Sequence, residues 1–141
     1  MSFIVPVKRL KEVNLPNSPY EGDAGIDLCA AEEVVLAPGE RTQIPTGLAF
    51  AIPLGYVGLI WDKSGVSHKG GLKTLGGVVD AGYRGEVMVG IINLSQQPYT
   101  FTKGQKVAQM LFQKVEQPVL QEVDDLGSTD RGEKGFGSSG K

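Results

Sequence analysis

The sequence predicts an all-β domain of the sandwich, barrel or jelly-roll kind. Three observations carry that expectation. Short apolar runs recur at close spacing, each bounded by glycine or proline. No stretch of 11–18 residues sustains a 3.6-residue apolar period, which argues against long helices. Glycine is abundant at 20 of 141 residues, about twice the usual ~7%, and follows no Gly-X-Y repeat. A chain of this length is expected to form one domain. With 40% hydrophobic and 21% charged residues, neither whole-chain disorder nor a membrane protein fits.

The elements can be justified in order. Prolines at 6, 16, 19, 38, 45 and 53 divide the first half into short pieces. Val34-Val35-Leu36 reads as a strand closed by the Pro38-Gly39 turn. Leu48–Ile52 lies between Gly47 and Pro53, and Tyr56–Trp61 follows Gly55. In Glu86–Leu94, Val87, Val89 and Ile91 alternate with Met88, Gly90 and Ile92. Both faces are apolar, which predicts a strand covered on both sides or lying at a subunit contact. In Val107–Lys114, Ala108, Met110 and Phe112 share one face, and Val107, Gln109 and Leu111 the other. Gln109 is polar on a mostly apolar face and needs a hydrogen-bond partner. After about Val123 the composition shifts to glycine and small polar residues that cannot form a core. The expected division is a β domain over residues 1–123 and a flexible C-terminal arm over 124–141.

Charge and cysteine content narrow the function classes. Fourteen Lys and Arg against sixteen Asp and Glu give a net charge of −2, which argues against a nucleic-acid partner. A small anion held by a few local cations remains compatible. Cys29 is the single cysteine, so no intrachain disulfide is possible and a reducing, cytoplasmic setting is expected. The first residues lack an apolar secretion segment, and no run approaches the ~20 apolar residues of a membrane span.

The candidate chemistry lies where the glycines cluster. Asp62-Lys63-Ser64-Gly65 follows an apolar strand, and Ser64 is placed to cap a short helical turn through Val66, Ser67 and His68. Such a turn would aim the Gly65 and Val66 N–H groups outward at an anion; the alternative is an ordinary polar loop. Gly76–Gly85 is more specific. Asp80 ends an apolar pair, Val78-Val79, where partial desolvation would suit a general base; the alternative is an Asx turn at a hairpin. Asp27 has a similar setting in Ala24–Leu28. His68, the only histidine, is expected to be exposed, and no His/Cys cluster suggests zinc. The segment Gly135–Lys141 resembles the start of a P-loop without the strand, helix and Ser/Thr that a P-loop needs. Its backbone N–H groups could still wrap phosphate oxygens, with charge from Arg131 and Lys134. Phe136, alone among glycines and without a core neighbour in its own segment, suits an aromatic stacking role.

Taken together, five segments resemble, in order, the five motifs of the trimeric deoxyuridine triphosphatases (dUTPases). They are Ala24–Leu28, Lys63–Gly65, Gly77–Glu86, Gly104–Gln109 and Arg131–Gly140. Any one is weak, but five in order, spanning about residue 3 to residue 140, are specific. The resemblance implies a distorted jelly-roll homotrimer with active sites shared between subunits, hydrolysing dUTP to dUMP and pyrophosphate with Mg²⁺. It assigns Asp80 as the base that activates water against the α-phosphorus. Asp27 supports the site and contacts the metal through water, the ion itself riding on the triphosphate. Lys63, Ser64, Gly65 and Gln109 are assigned to the phosphates. Tyr83 packs on the deoxyribose and leaves no room for a 2′-hydroxyl. Thr74 and the backbone of a Leu75–Val79 hairpin, including Gly77 and Val79, are assigned to uracil. In the arm Phe136 stacks on the base, while Arg131, Gly137, Ser138 and Ser139 hold the terminal phosphate.

This sequence departs from the family pattern in several places. Asp62-Lys63 stands where Pro-Arg is usual, Thr74 where many members have Asn, Gln105-Lys106 where Asp-Arg is common, and Glu133-Lys134 where residues are small. Lysine keeps the charge of arginine but loses its planar fork. The neighbouring deaminases of dCTP share the fold, but Tyr83-Arg84-Gly85 and Phe136 favour a dUTPase. A non-enzymatic jelly-roll binding protein is the other class, and the retention of Asp80 argues against it.

Overall fold

The computed structural model describes residues 3–17 and 20–137. Among the described residues ten strands follow in chain order: β1 (Val7–Arg9), β2 (Ile26–Cys29), β3 (Val34–Leu36), β4 (Arg41–Phe50), β5 (Tyr56–Asp62), β6 (Leu72–Leu75), β7 (Val78–Val79), β8 (Glu86–Asn93), β9 (Tyr99–Phe101) and β10 (Lys106–Lys114). The only helix among the described residues is the five-residue turn Gly65–Lys69 between β5 and β6, as the missing 3.6-residue period predicts. None is long and apolar enough to cross a membrane. One four-stranded sheet runs β1-β4-β8-β6, another β2-β10-β5-β7, and β3 pairs with β9 alone. Among the described residues the strands pair antiparallel throughout.

The two larger sheets supply one core. Ile44, Leu48 and Phe50 of β4 and Val87, Val89 and Ile91 of β8 join Leu28 of β2 and Ala108 and Met110 of β10, all buried. Alternation sets this, since every second residue of a strand points to the same face. β8 shows it without a break: Val87, Val89, Ile91 and Asn93 are sealed, while Met88, Gly90 and Ile92 are half-buried.

Asn93 is fully buried on that strand and fully bonded. Its amide nitrogen donates to the carbonyls of Leu36 (3.1 Å) and Gln97 (2.8 Å), and its oxygen accepts from Ser95 N–H (2.9 Å) and Oγ (2.7 Å). This pins β3 and the 94–97 turn to the central sheet, and it offsets the cost of a buried amide.

Two expectations are corrected. Proline does not end the strand before Leu48: β4 runs from Arg41 through Pro45 to Phe50. Its register against β8 shifts between Pro45 and Ala49, and Gly47 within that interval takes φ +72°. A bulge is where a strand tolerates proline, because the ladder is already interrupted there. Second, Leu75–Val79 is not a hairpin. β6 pairs with β8 in one sheet and β7 with β5 in the other, so Gly76-Gly77 carries the chain between sheets. From Gln113 to Gly137 every residue except Gly135 is exposed. β10 ends at Lys114, and after the Val115 N–H bonds to Gly55 O (2.9 Å) the chain carries Val119, Leu120 and Leu126 almost fully exposed.

Candidate active site

The register of β2, β10 and β5 gathers the first, second and fourth motifs. Gln109 of β10 lies opposite Asp27 of β2 on one side and Trp61 of β5 on the other. β5 then delivers Asp62, Lys63 and Ser64 beside them. The result is a cleft of about 730 Å³ lined by Asp27, Lys63, Ser64 and Gln109, together with Asp62 and Lys73. Gln109 finds the partner that its position demanded: its amide donates to Asp62 O at 2.9 Å.

Asp27 is the electrostatic centre of this cleft. Its side chain is only 5% exposed, with Lys63 Nζ 2.6 Å from Oδ1 and Lys106 Nζ 3.2 Å from Oδ2. The Lys106 contact is an ion pair outside hydrogen-bond geometry, so Oδ2 remains a buried acceptor without a hydrogen-bond donor. Burial alone would raise the carboxyl pKa, but the two ammonium groups outweigh it and hold it below the ordinary value. The neighbouring Cys29 thiol is pushed up by its burial and by the Asp27 charge. Lys106 and Cys29 line a second cleft of about 690 Å³ with Asp27 as its shared wall.

The short turn expected after Ser64 is present, with two corrections. Ser64 occupies the cap position of the Gly65–Lys69 turn, but its side chain makes no capping bond. The Val66 and Ser67 N–H groups both donate to Lys63 O, at 3.1 and 2.9 Å. Val66 N–H is therefore spent within the turn and does not face outward. Gly65 has nothing within 4 Å of where a Cβ would sit, so the backbone there is open to a ligand. His68 is exposed on the same turn.

The third motif lies elsewhere. Gly77, Val79, Asp80 and Tyr83 line a separate cleft of about 300 Å³ with Ile60 and Glu86. Tyr83 is fixed at both ends, its N–H on Asp80 O (3.1 Å) and its hydroxyl donating to Glu86 O (2.9 Å). Gly85 lies beneath it, and a Cβ there would sit 2.5 Å from the Tyr83 oxygen, so the ring would have to shift. Asp80 itself is exposed rather than partly desolvated: the Val78-Val79 pair turns Val79 inward and leaves Val78 and Asp80 outward. Thr74 joins neither cleft lining. It is buried on β6, with its N–H donated to Asp62 Oδ1 at 2.8 Å.

In the arm, Arg131 folds onto its own turn, Nε donating to Lys134 O at 2.5 Å. Phe136 is fully exposed at φ +49°, a conformation that bulky residues seldom adopt. Gly137 follows it, exposed at φ +94°; Ser138 and Ser139 lie outside the described residues. Asp62, Lys73 and Lys106 line the clefts without belonging to any assignment made from the sequence. The opposite charges of Asp62 and Lys73, eleven positions apart, are the only signal along the chain for that pair.

The model of the dUTPase family matches residues 11–140. The chain belongs to the dUTPase family. Among curated relatives, the deoxyuridine 5'-triphosphate nucleotidohydrolase of Mycolicibacterium gilvum is 48% identical over 149 residues, covering 99% of this chain and 97% of the relative. That of Corynebacterium glutamicum is 46% identical over 144 residues, covering 100% and 97%. Among solved structures, a substituted dUTPase of Staphylococcus bacteriophage 80alpha with dUpNHpp superposes with a TM-score of 0.93 at 33% identity, covering 99% of this chain and 100% of that one. A substituted dUTPase of the S. aureus phage phi11, described with a coordinated structural Mg(II) ion, gives 0.83 at 32% identity, covering 88% and 99%. The all-β jelly-roll-like fold is thus that of the dUTPase family.

Proposed function

We propose that the chain hydrolyses dUTP to dUMP and pyrophosphate, with Asp80 as general base, in a homotrimer whose active sites are shared between subunits. The observation that carries this reading, beside family membership, is the convergence of Asp27, Lys63, Ser64 and Gln109 from three strands on one cleft. The cleft offers an ammonium, an uncapped hydroxyl and open glycine backbone to a phosphate chain. Asp80 and Tyr83 line a different cleft of the same chain. A nucleotide gripped by both groups is best served by the first cleft of one protomer and the second cleft of its neighbour. The exposed arm then brings Phe136 and Arg131 over the assembled site.

Each residue has a task in this scheme. Lys63 and Ser64 orient the phosphates, so that the α-phosphorus stands in line with a water bonded to Asp80. Asp80 takes the proton of that water as it attacks. Exposed in the single chain, Asp80 gains a drier setting only when the neighbouring protomer and the arm cover it. Tyr83, held rigid by its two bonds, presents its ring to the sugar and excludes a 2′-hydroxyl by bulk. With Thr74 buried, uracil recognition falls to the Gly77–Val79 backbone.

Among the described residues, no group of three or more His, Cys, Asp or Glu side chains could hold a metal alone. Mg²⁺ is often bound through substrate phosphates, and Asp27, a carboxylate lining the same cleft, is the group that would contact it through water. When bound, the ion offsets the phosphate charge that would otherwise repel Asp80. The test is pyrophosphate release across dUTP, dTTP, UTP and dCTP with Mg²⁺. The expected result is release from dUTP alone. Release from UTP would overturn the Tyr83 assignment, and ammonia from dCTP would move the chain to the deaminases.

A further inference from the structure

Two positions where this chain departs from the family pattern, Asp62 and Lys63, sit side by side in the phosphate cleft. A residue outside all five motifs joins them. Asp62 ends β5, and three strands meet on it. Its carbonyl accepts the Gln109 amide of β10 at 2.9 Å, its Oδ1 accepts the Thr74 N–H of β6 at 2.8 Å, and its Oδ2 pairs with Lys73 Nζ. The ammonium and the amide N–H outweigh burial and keep the Asp62 carboxyl below its ordinary pKa. Lys73 lines the same cleft as Asp27, Lys63, Ser64 and Gln109, with 52% of its side chain exposed.

The charges of the cleft give that lysine a purpose. Asp23, Asp27 and Asp62 line it against Lys63 and Lys73. Lys63 is committed to Asp27 at 2.6 Å and lacks the two-pronged fork that arginine offers a phosphate. Lys106, the other cation on Asp27, lines the neighbouring cleft. An entering polyphosphate therefore meets lining carboxylates that outnumber the lining ammonium groups. Of those two ammonium groups, Lys73 is the one whose carboxylate partner is already shared with a backbone N–H.

We propose that Lys73, held at the cleft edge by Asp62, is a second cation for the phosphate chain of the nucleotide, supplying contact that residue 63 as lysine cannot. Asp62 is then a positioning residue: it fixes the ammonium before substrate arrives, so less side-chain freedom is lost on binding. The inference rests on the dUTP-hydrolysis reading of this cleft.

The test compares the full-length wild type with K73Q, K73R, D62N and the double variant D62N/K73Q. It reads kcat and KM for dUTP, inhibition by dUMP, and binding of inorganic pyrophosphate by calorimetry. K73Q is expected to raise KM about tenfold, or about 1.4 kcal/mol, with kcat within about threefold, and to weaken pyrophosphate binding more than dUMP binding. K73R is expected to restore KM. D62N is expected to move KM in the same direction, with the double variant no worse than K73Q. An unchanged KM and pyrophosphate affinity in folded K73Q would overturn the Lys73 contact, and additive losses in the double variant would overturn the holding role of Asp62. A wild type that releases no pyrophosphate from dUTP would instead refute the proposed activity. The pyrophosphate calorimetry still decides on Lys73 in that case.

Discussion

Replacing Asp27 by asparagine keeps the shape of the side chain and removes the charge beneath two ammonium groups. Removing one partner of a buried pair costs about 3–5 kcal/mol when the other is left buried and unpaired. Here the groups left behind are lysines whose side chains are 28% and 55% exposed, so both can turn to water. What is lost is one charge-assisted hydrogen bond to Lys63, about 1.5–3 kcal/mol, and a screened pair to Lys106, about 0–1 kcal/mol. D27N should therefore lose about 2–3 kcal/mol of folding stability at pH 7. The pH dependence has a definite sign. The Asp27 carboxyl is lowered in the folded chain, so its stabilisation is complete above the ordinary aspartate value of about 3.9. It is lost as pH falls through the lower folded value. Asparagine has no such titration, so the gap between wild type and D27N should narrow below about pH 4, while the similar contribution of Asp62 remains in both. Urea unfolding at one protein concentration, stepped from about pH 7 to about pH 3, measures this. A difference at pH 7 under about 0.5 kcal/mol, or two parallel curves through pH 4, would refute the reasoning.

Other consequences are open to simpler assays. D80N should lower dUTP turnover by about 10²–10⁴-fold, the usual worth of a general base, with little change in affinity for a non-hydrolysable analogue; near-normal turnover removes Asp80 from that role. A chain ending at Asp130 should keep the circular dichroism and assembly state of the full chain but turn over poorly, since Arg131 and Phe136 are exposed and lie outside the core; loss of assembly would make the arm structural. Gly77 sits at φ +122°, and a Cβ added there would lie only 2.7 Å from Ile60 O. G77A should therefore cost at least about 2 kcal/mol, measured by denaturant midpoint, and an unchanged midpoint would mean that the crossover relaxes freely.

Much of this is legible along the chain. The strands at Val34–Leu36, Tyr56–Asp62 and Glu86–Asn93 follow from alternation and flanking turns, which are local properties. The same holds for the capping place of Ser64 and the need of Gln109 for a partner. Where the structure differs from expectation, the differences share one cause. Pro45 inside β4 and the passage of Gly76-Gly77 between sheets depend on which strand lies alongside, and that is not written in the neighbouring residues. The surroundings of Thr74, which the family resemblance assigns to the base, are likewise set by Asp62, twelve residues earlier.

Family, fold class and the order of the five motifs are determined by the sequence itself, because each motif is a short run whose glycines and polar residues keep their spacing whatever the chain does between them. Charge partnership is decided only in three dimensions. Asp27 lies between Lys63 and Lys106, and Asp62 holds Lys73, because antiparallel register brings distant residues within a few ångströms, where Coulomb energy is large. Tertiary structure also sets the Asp27 cleft apart from the Asp80 cleft. They lie on different edges of the β5 neighbourhood, one toward β10 and β2 and the other toward β7, so the direction in which each strand edge faces determines which residues can meet a single ligand.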